Sequence, residues 1–248
     1  MLKIKNMGNG GRIVSRGTTG GGIRVTSSSA VSLVTSGLVL HLDAGDPASY
    51  PGTGTTWYDL SGQGNDSILT NGPTYDTDAG GNIDFDGIDD YASAGDASLP
   101  IGTTAGTLSA WARTETTAGN TAWIFAYGYP GTGLARFIGR LGSTFYFGGY
   151  NDDLTALGVP LNTWFNITGV YDGFAASLYI NGILVTGPTA KSWNTVSSDT
   201  VVGRQVGGGG EYWQGGISQV LIYDRALSDG EIVQNFNTLC NRHGLPPV

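Results

Sequence analysis

The sequence lacks the features that disulfide-bonded, membrane-spanning and secreted proteins require. Cys240 is the only cysteine in 248 residues, so no disulfide can form within the chain and no oxidising compartment is needed. No apolar run approaches the roughly 20 residues that a membrane-spanning helix requires. The first residues lack the apolar core of a secretory signal. We therefore expect a protein that matures without a cleavable signal and has no membrane partner.

Residue types that commonly carry catalysis are also scarce. The chain has three glutamates, Glu115, Glu211 and Glu231, and two histidines, His41 and His243. A hydrolase built on a serine nucleophile would need a histidine base and a Gly-x-Ser-x-Gly turn, and that turn is absent. The glycine fingerprints of phosphate-binding and dinucleotide-binding loops are absent as well.

Only 13% of the residues are charged, whereas 42 are glycine and 40% are hydrophobic. This composition is typical of many short strands joined by tight turns, and not of long helices. The apolar fraction is large enough for a sizeable core. A chain of this length fits one large β domain with an additional segment.

The charges that are present are distributed unevenly. Residues 1–36 contain five basic residues and no acidic ones, while all 20 acidic residues follow, against the remaining seven of the 12 lysines and arginines. A basic arm on an acidic domain predicts docking on an acidic partner surface, and a flexible tail without a partner is the alternative. Nucleic acid is disfavoured because the arm lacks interleaved aromatics and the acidic domain would repel phosphate. The basic residues of the arm are Lys3, Lys5, Arg12, Arg16 and Arg24.

Alternation and turn residues indicate strands along the rest of the chain. Ile83 and Phe85 alternate with acidic residues, as in a half-buried strand. Asp86-Gly87 predicts a hairpin turn leading to a strand at Tyr91, and Asn181-Gly182 predicts another. Near the end, Ser228 followed by Glu231 predicts a helix that begins with a capping box.

Several motifs occur in a fixed order along residues 37–245. They are Trp-x-Asp-Leu-Ser-Gly-x-Gly-Asn at 57–65, Asp-Phe-Asp-Gly-x-Asp-Asp-Tyr at 84–91, Leu-Ser-Ala-Trp at 108–111, Trp-Phe-Asn-Ile-Thr at 164–168, Leu-Tyr-Ile-Asn-Gly at 178–182, and the segment 216–236. This series resembles the laminin G-like (concanavalin A-like) jelly-roll family. The resemblance implies an all-β fold at residues 37–248, a two-sheet antiparallel jelly-roll sandwich with a short C-terminal helix, preceded by an extended Gly-rich basic arm at residues 1–36.

The family includes hydrolases, lectins and adhesive modules, so the fold alone does not give the function. The hydrolases resembling laminarinases carry Glu-x-Asp-x-x-Glu or Glu-x-Asp-x-Glu on one strand, and neither motif occurs here. We therefore predict that the chain is not an enzyme, with hydrolysis by a pair of aspartates as the least favoured alternative.

A structural calcium ion is a candidate cofactor. Asn82-x-Asp84-x-Asp86-Gly87 resembles the first half of a calcium loop, but Ser93 stands where the bidentate glutamate would be. Strand alternation explains the same pattern without an ion. The family resemblance implies calcium near such turns, with the candidate ligands Asp59, Asn65, Asp89 and Asp90.

Aromatic residues in Gly-rich loops are candidates for stacking on sugar rings or for contacts with a protein. The sequence does not distinguish between these two partners. The residues predicted to be exposed for this purpose are Tyr129, Tyr150, Tyr212 and Trp213.

The motif series is also similar to domains in virion proteins of tailed phages. That similarity implies a structural protein of the virion, either a capsid decoration (cement) protein or a fibre-type protein, made in the host cytoplasm. The arm would dock on the major capsid protein or another virion protein, and the domain would stabilise the particle or adsorb to host glycans. Homo-oligomers are expected because sandwich edges need cover. The alternative is a free carbohydrate-binding or adhesion module of a bacterium.

Overall fold

The computed structural model describes residues 14–15, 24–25, 32–116 and 121–248. In the arm, β1 (Val14–Ser15) pairs antiparallel with β2 (Arg24–Val25). The arm residues Lys3, Lys5, Arg12 and Arg16 lie outside the described residues, as does the side chain of Arg24. The predicted docking role of the arm therefore stays a prediction.

Strands are the main regular element of the described chain. In chain order the remaining strands are β3 (Leu38–Asp43), β4 (Thr56–Trp57), β5 (Ser67–Thr70), β6 (Thr74–Asp76), β7 (Asn82–Asp86), β8 (Tyr91–Ala94), β9 (Gly106–Arg113), β10 (Thr121–Gly128), β11 (Ala135–Leu141), β12 (Thr144–Gly148), β13 (Asp153–Leu157), β14 (Trp164–Tyr171), β15 (Ala175–Ile180), β16 (Ile183–Ala190), β17 (Thr200–Val202) and β18 (Gln214–Tyr223). One α-helix, α1 (Asp229–Leu239), follows β18. No helix in this part of the chain is long and apolar enough to cross a membrane.

Two eight-stranded antiparallel sheets form the sandwich. The front sheet has the order β13-β12-β11-β10-β17-β8-β5-β4. The back sheet has the order β16-β15-β14-β9-β18-β7-β6, and β3 pairs with β18 beyond the end of β7. This arrangement confirms the predicted two-sheet antiparallel jelly roll.

The core lies between the two sheets, and large aromatic side chains dominate it. Trp57, Trp193 and Trp213 are fully buried there with aliphatic residues from both sheets. Burial of each large apolar side chain contributes roughly 1.5–3 kcal/mol. Arg136 is also fully buried, stacked with its guanidinium carbon 4.9 Å from the centre of the Tyr171 ring.

Helix α1 covers the outer face of the back sheet. The Ser228 side chain accepts from the Glu231 amide, and the Glu231 carboxylate accepts from the Ser228 amide, which confirms the predicted capping box. Arg225 donates to both carboxylate oxygens of Glu231, at 2.6 and 2.9 Å. These bonds, led by the one from Arg225, lower the pKa of Glu231 to about 2. The helix is thus fixed at its first turn.

Residues 32–36, predicted as the end of the arm, lie against the domain. The Val34 amide donates to Asn235 Oδ1 of α1, and the Tyr223 hydroxyl donates to the Val34 carbonyl, both at 2.9 Å. Arg225 Nε donates to the Ser36 carbonyl. The chain is therefore attached beside α1 before it enters β3.

The two predicted hairpin turns have different outcomes. Asn181 and Gly182, with φ of 51° and 77°, join β15 to β16 as predicted. The hairpin predicted at Asp86-Gly87 is wrong, because β7 belongs to the back sheet and β8 to the front sheet. Asp86 Oδ1 accepts the amides of the second and third residues after it, which forms a wider polar turn that carries the chain across the sandwich.

Candidate functional site

The outer face of the front sheet carries a continuous row of paired residues. Because directly paired residues of neighbouring strands point to the same face, the row can be followed from strand to strand. It crosses β8, β17, β10, β11, β12 and β13, a span of about 24 Å at the usual strand spacing. We call it the floor row; it consists of Ser93, Val201, Ala126, Phe137, Gly148 and Asp153.

The first pocket lies at the β13 end of the floor row and has a volume of about 290 Å³. Trp123 is only 2% exposed and stacks on Phe137 with ring centres 3.8 Å apart, so this pair supports the pocket from below. Tyr146 and Tyr150 are half-buried and present ring surface to the cavity. The polar residues of the lining are Thr121, Asn151, Asp153, Gln205 and Glu211.

Two carboxyl groups of the first pocket belong to half-buried side chains. Burial raises the pKa of Asp153, and the nearby Lys191 ammonium offsets part of the rise. Burial likewise raises the pKa of Glu211. Asp153 Oδ1 is inaccessible to water and has no hydrogen-bond partner among the described residues. Since no cationic side chain of the described residues lines this pocket, it offers acceptors to a ligand rich in hydroxyl groups.

The loop between β12 and β13 is held in an uncommon backbone conformation. Tyr150 and Asn151 have φ of 60° and 65°, a left-handed region that non-glycine residues rarely occupy. Asparagine tolerates this region, but a tyrosine there costs about 1–3 kcal/mol. The strained turn places the Tyr150 ring 6.2 Å from Trp123, at the edge of the first pocket. Strain of this kind is concentrated at binding and catalytic sites.

A second pocket of about 560 Å³ lies toward the β8 end of the floor row. Val206, carried by the loop after β17, packs against the middle of the row and lines the second pocket. Tyr129 lines the second pocket and is 61% exposed. Arg204 lies over the Tyr91 ring, 3.8 Å from its centre. The two pockets therefore share one floor and differ in their charged residues.

The structure distributes the four predicted aromatic contact residues among different environments. Tyr150 lines the first pocket and Tyr129 the second, while Tyr212 is half-buried and lines neither. The prediction that Trp213 is exposed is wrong, because its side chain is fully buried in the core. The Trp213 amide donates to the Gly203 carbonyl at 2.8 Å, which ties the Gly-rich loop to the end of β17.

Several residues of the two pockets were not predicted as site residues. Asp153, Glu211 and Arg204 belong to no motif, and each lies on a different strand or loop. Their shared location depends on strand pairing between distant segments. The only local signal was the alternation around Tyr146, which places that tyrosine and Gly148 on one face.

The predicted calcium ligands do not form one cluster. Asp59 accepts the amides of His41, Ser61 and Asn65 and therefore organises its own turn. Asn65 is 1% exposed, and its amide nitrogen donates to the carbonyls of Val39 and Ala97. Both residues have structural partners that account for their presence.

Asp89 and Asp90, in contrast, lie together with Asp86. One carboxylate oxygen from each residue falls within 4.8 Å of the others. Burial raises the pKa of Asp90, and the charges of Asp86 and Asp89 add to the rise. Three carboxylates fit the oxygen-ligand chemistry of calcium, so among the described residues Asp86, Asp89 and Asp90 could hold such an ion.

The family model of the concanavalin A-like lectin/glucanases superfamily matches residues 86–233, and the chain belongs to this superfamily. No curated protein matches the sequence. The binding domain of Paraclostridial mosquitocidal protein 1 has a similar structure, with 16% identity, 85% of this chain and 55% of that chain covered, and a TM-score of 0.64. The chain thus spans about half the length of that domain.

Two further structures of the same fold were solved with glycans. Domain 4 of AbnA, a GH43 extracellular arabinanase from Geobacillus stearothermophilus in complex with arabinotriose, has 15% identity, 82% of this chain and 98% of that chain covered, and a TM-score of 0.61. The binding domain of botulinum neurotoxin DC in complex with SialylT has 15% identity, coverages of 83% and 52%, and a TM-score of 0.63. At these identities the similarity establishes the lectin-like fold.

Proposed function

We propose that this chain is a non-enzymatic glycan-binding protein whose first pocket holds a sugar ring. The observation that carries the proposal is the combination of half-buried Tyr146 and Tyr150 with the shielded carboxyl groups of Asp153 and Glu211. Aromatic faces pack against the apolar faces of pyranose rings. Carboxylate oxygens accept from sugar hydroxyls, and such charge-assisted bonds contribute about 1.5–3 kcal/mol each.

The geometry of the front face supports an oligosaccharide as the ligand. The floor row spans several sugar rings, and residues of the loops between strands, such as Tyr150 and Tyr129, contribute to the lining of both pockets. The solved relatives bound to arabinotriose and to SialylT show that the same fold accommodates glycans in other proteins. For this chain, glycan binding rests on the pocket residues.

A glycan array combined with one matched pair of variants tests the proposal. We expect the wild-type chain to bind a defined set of glycans, Tyr146→Ala to lose that binding, and Tyr58→Ala to retain it. Tyr58 is the matched control, since it is an exposed tyrosine that lines neither pocket. Equal binding by all three proteins, or release of reducing sugar from a bound glycan, would contradict the proposal.

We further propose that the protein is a component of a phage virion, attached through its basic arm. The support comes from the motif series and from the arm, which carries five basic residues and no acidic ones. The major capsid protein or another acidic virion protein would receive the arm. A free adhesion module of a bacterium is the alternative, in which the pockets act alike but the arm has no particle to bind.

Deletion of residues 1–31 distinguishes these two roles. The deletion leaves residues 32–36 in place, because these residues contact α1 and belong to the folded domain. A virion component should be present at high copy in purified particles as the full-length chain and absent as the truncated chain, measured by mass spectrometry. An adhesion module should be absent from particles in both forms and should keep its glycan binding.

A further inference from the structure

The lysines and arginines of the domain differ in whether they have hydrogen-bond or ion-pair partners. Of the seven lysines and arginines after residue 36, six have partners within the described structure. Four form ion pairs with carboxylates, and two are buried and donate to backbone carbonyls; these six are Arg113, Lys191, Arg225, Arg242, Arg136 and Arg140. Arg204, the seventh, makes no hydrogen bond or ion pair within the described residues.

Arg204 is nevertheless held in a defined position. Its guanidinium carbon lies 3.8 Å from the centre of the Tyr91 ring, and its Nε is shielded from water without a hydrogen-bond partner. Stacking occupies the face of the guanidinium and leaves the donors on its edge free. These edge donors match a carboxylate, which accepts two parallel hydrogen bonds from an arginine.

The surroundings of Arg204 indicate the rest of the ligand. Tyr129, with 61% of its surface exposed, offers a stacking face in the same pocket. Ser93 contributes a hydroxyl group from the floor row. Asp199 also lines the pocket, is exposed and forms no ion pair with Arg204. Its negative charge would therefore repel an anion in the part of the cavity nearest to it.

We propose that the second pocket binds a sugar that bears a carboxylate, such as a uronic or sialic acid, with the carboxylate on Arg204 and the ring on Tyr129. This inference rests on the proposed glycan-binding function and assigns different sugars to the two pockets. The first pocket, lined by carboxyl groups and no cation, takes a neutral ring. An acidic oligosaccharide with a neutral neighbouring unit would then extend along the floor row and around Val206.

Titration of the full chain with glucuronic acid, followed by amide chemical shifts, tests the proposal. We expect shifts at Gly207 and Gly208, which line the second pocket, and no such shifts with glucose or with the methyl ester of glucuronic acid. Arg204→Gln should weaken glucuronic acid binding about tenfold, and Arg204→Lys should weaken it less because the charge remains. Asp199→Asn should strengthen it.

The possible failures are distinguishable. Binding of the methyl ester as strong as that of the acid, or unchanged binding by Arg204→Gln, would overturn the assignment. Inorganic sulfate that binds as tightly as glucuronic acid would overturn the sugar component. If the wild-type chain does not bind glucuronic acid but still binds a glycan in a Tyr146-dependent way, only this inference is refuted. Arg204-dependent binding of glucuronic acid without any Tyr146-dependent glycan supports this inference and refutes the first-pocket assignment.

Discussion

The outer faces of the two sheets carry similar aromatic clusters, but the two clusters are covered by different parts of the chain. On the back sheet, Trp111 stacks on Phe236 with ring centres 5.4 Å apart and on His243 at 4.0 Å, beneath α1. On the front sheet, Trp123 stacks on Phe137 at 3.8 Å, next to loops and two pockets. Composition does not distinguish the clusters. The clusters differ in what lies over them: helix α1 covers the back-sheet cluster, which we call the sealed cluster, whereas the front-sheet cluster lies at the base of the first pocket and is called the open cluster.

The comparison predicts that equivalent truncations have different consequences. Phe236→Ala and Phe137→Ala should each lower the free energy of unfolding by about 3–5 kcal/mol, because each removes a buried ring. Only Phe137→Ala should also abolish glycan binding, measured at a temperature where both variants are folded. Loss of glycan binding in Phe236→Ala, or its retention in Phe137→Ala, would remove the functional distinction between the faces.

The sealed cluster should also make stability depend on pH. Burial of His243 lowers its pKa to about 4, from about 6.5 in the unfolded chain, so the folded state keeps the ring neutral. Between these values the unfolded state binds more protons, and stability falls as the pH decreases from 6.5. The loss should approach about 3 kcal/mol below pH 4.

Denaturant unfolding from pH 7.5 to 4 measures this effect. The matched variant His243→Gln cannot titrate, so the difference in its stability from wild type should shrink as the pH falls. A difference that stays constant over the range would show that His243 is not the responsible group.

The open cluster should respond to changes in its carboxyl groups with little change in stability. Glu211→Gln keeps the shape of the side chain and removes the charge. We expect it to weaken binding of a neutral glycan by about 1–2 kcal/mol, because a charge-assisted hydrogen bond becomes an ordinary one. Isothermal titration calorimetry measures the affinity, with Glu115→Gln, which lines neither pocket, as the control. Equal affinities of the two variants would exclude Glu211 from the site.

Local signals were sufficient for much of the fold. The capping box of Ser228 and Glu231 and the turn at Asn181-Gly182 depend on neighbouring residues, and both were predictable. The turn at Asp86-Gly87 could not be predicted locally, because the same dipeptide occurs both in hairpins and in turns that connect one sheet to the other. Its outcome is decided by which strands pair, which is a property of the whole chain.

The candidate site depended even more on long-range structure. Exposure of Trp213 was expected from its Gly-rich surroundings, but the bond from its amide to the Gly203 carbonyl and the pairing of β18 from the next residue onward hold it where its side chain is buried in the core. Arg204 gave no signal in the sequence, since its significance is that it has no acidic partner among the residues that the structure describes. The family motifs, in contrast, correctly indicated the lectin-like sandwich.

The attachment of residues 32–36 beside α1 determines how the protein would be displayed. Residues 32–36 lie beside α1 on the outer face of the back sheet, whereas both pockets open on the front sheet. A copy anchored by its arm would therefore direct its pockets away from the anchoring surface. On a surface with many such copies, weak individual sites would engage a glycan-coated cell together, and avidity could exceed the affinity of a single pocket by roughly 10²–10⁴.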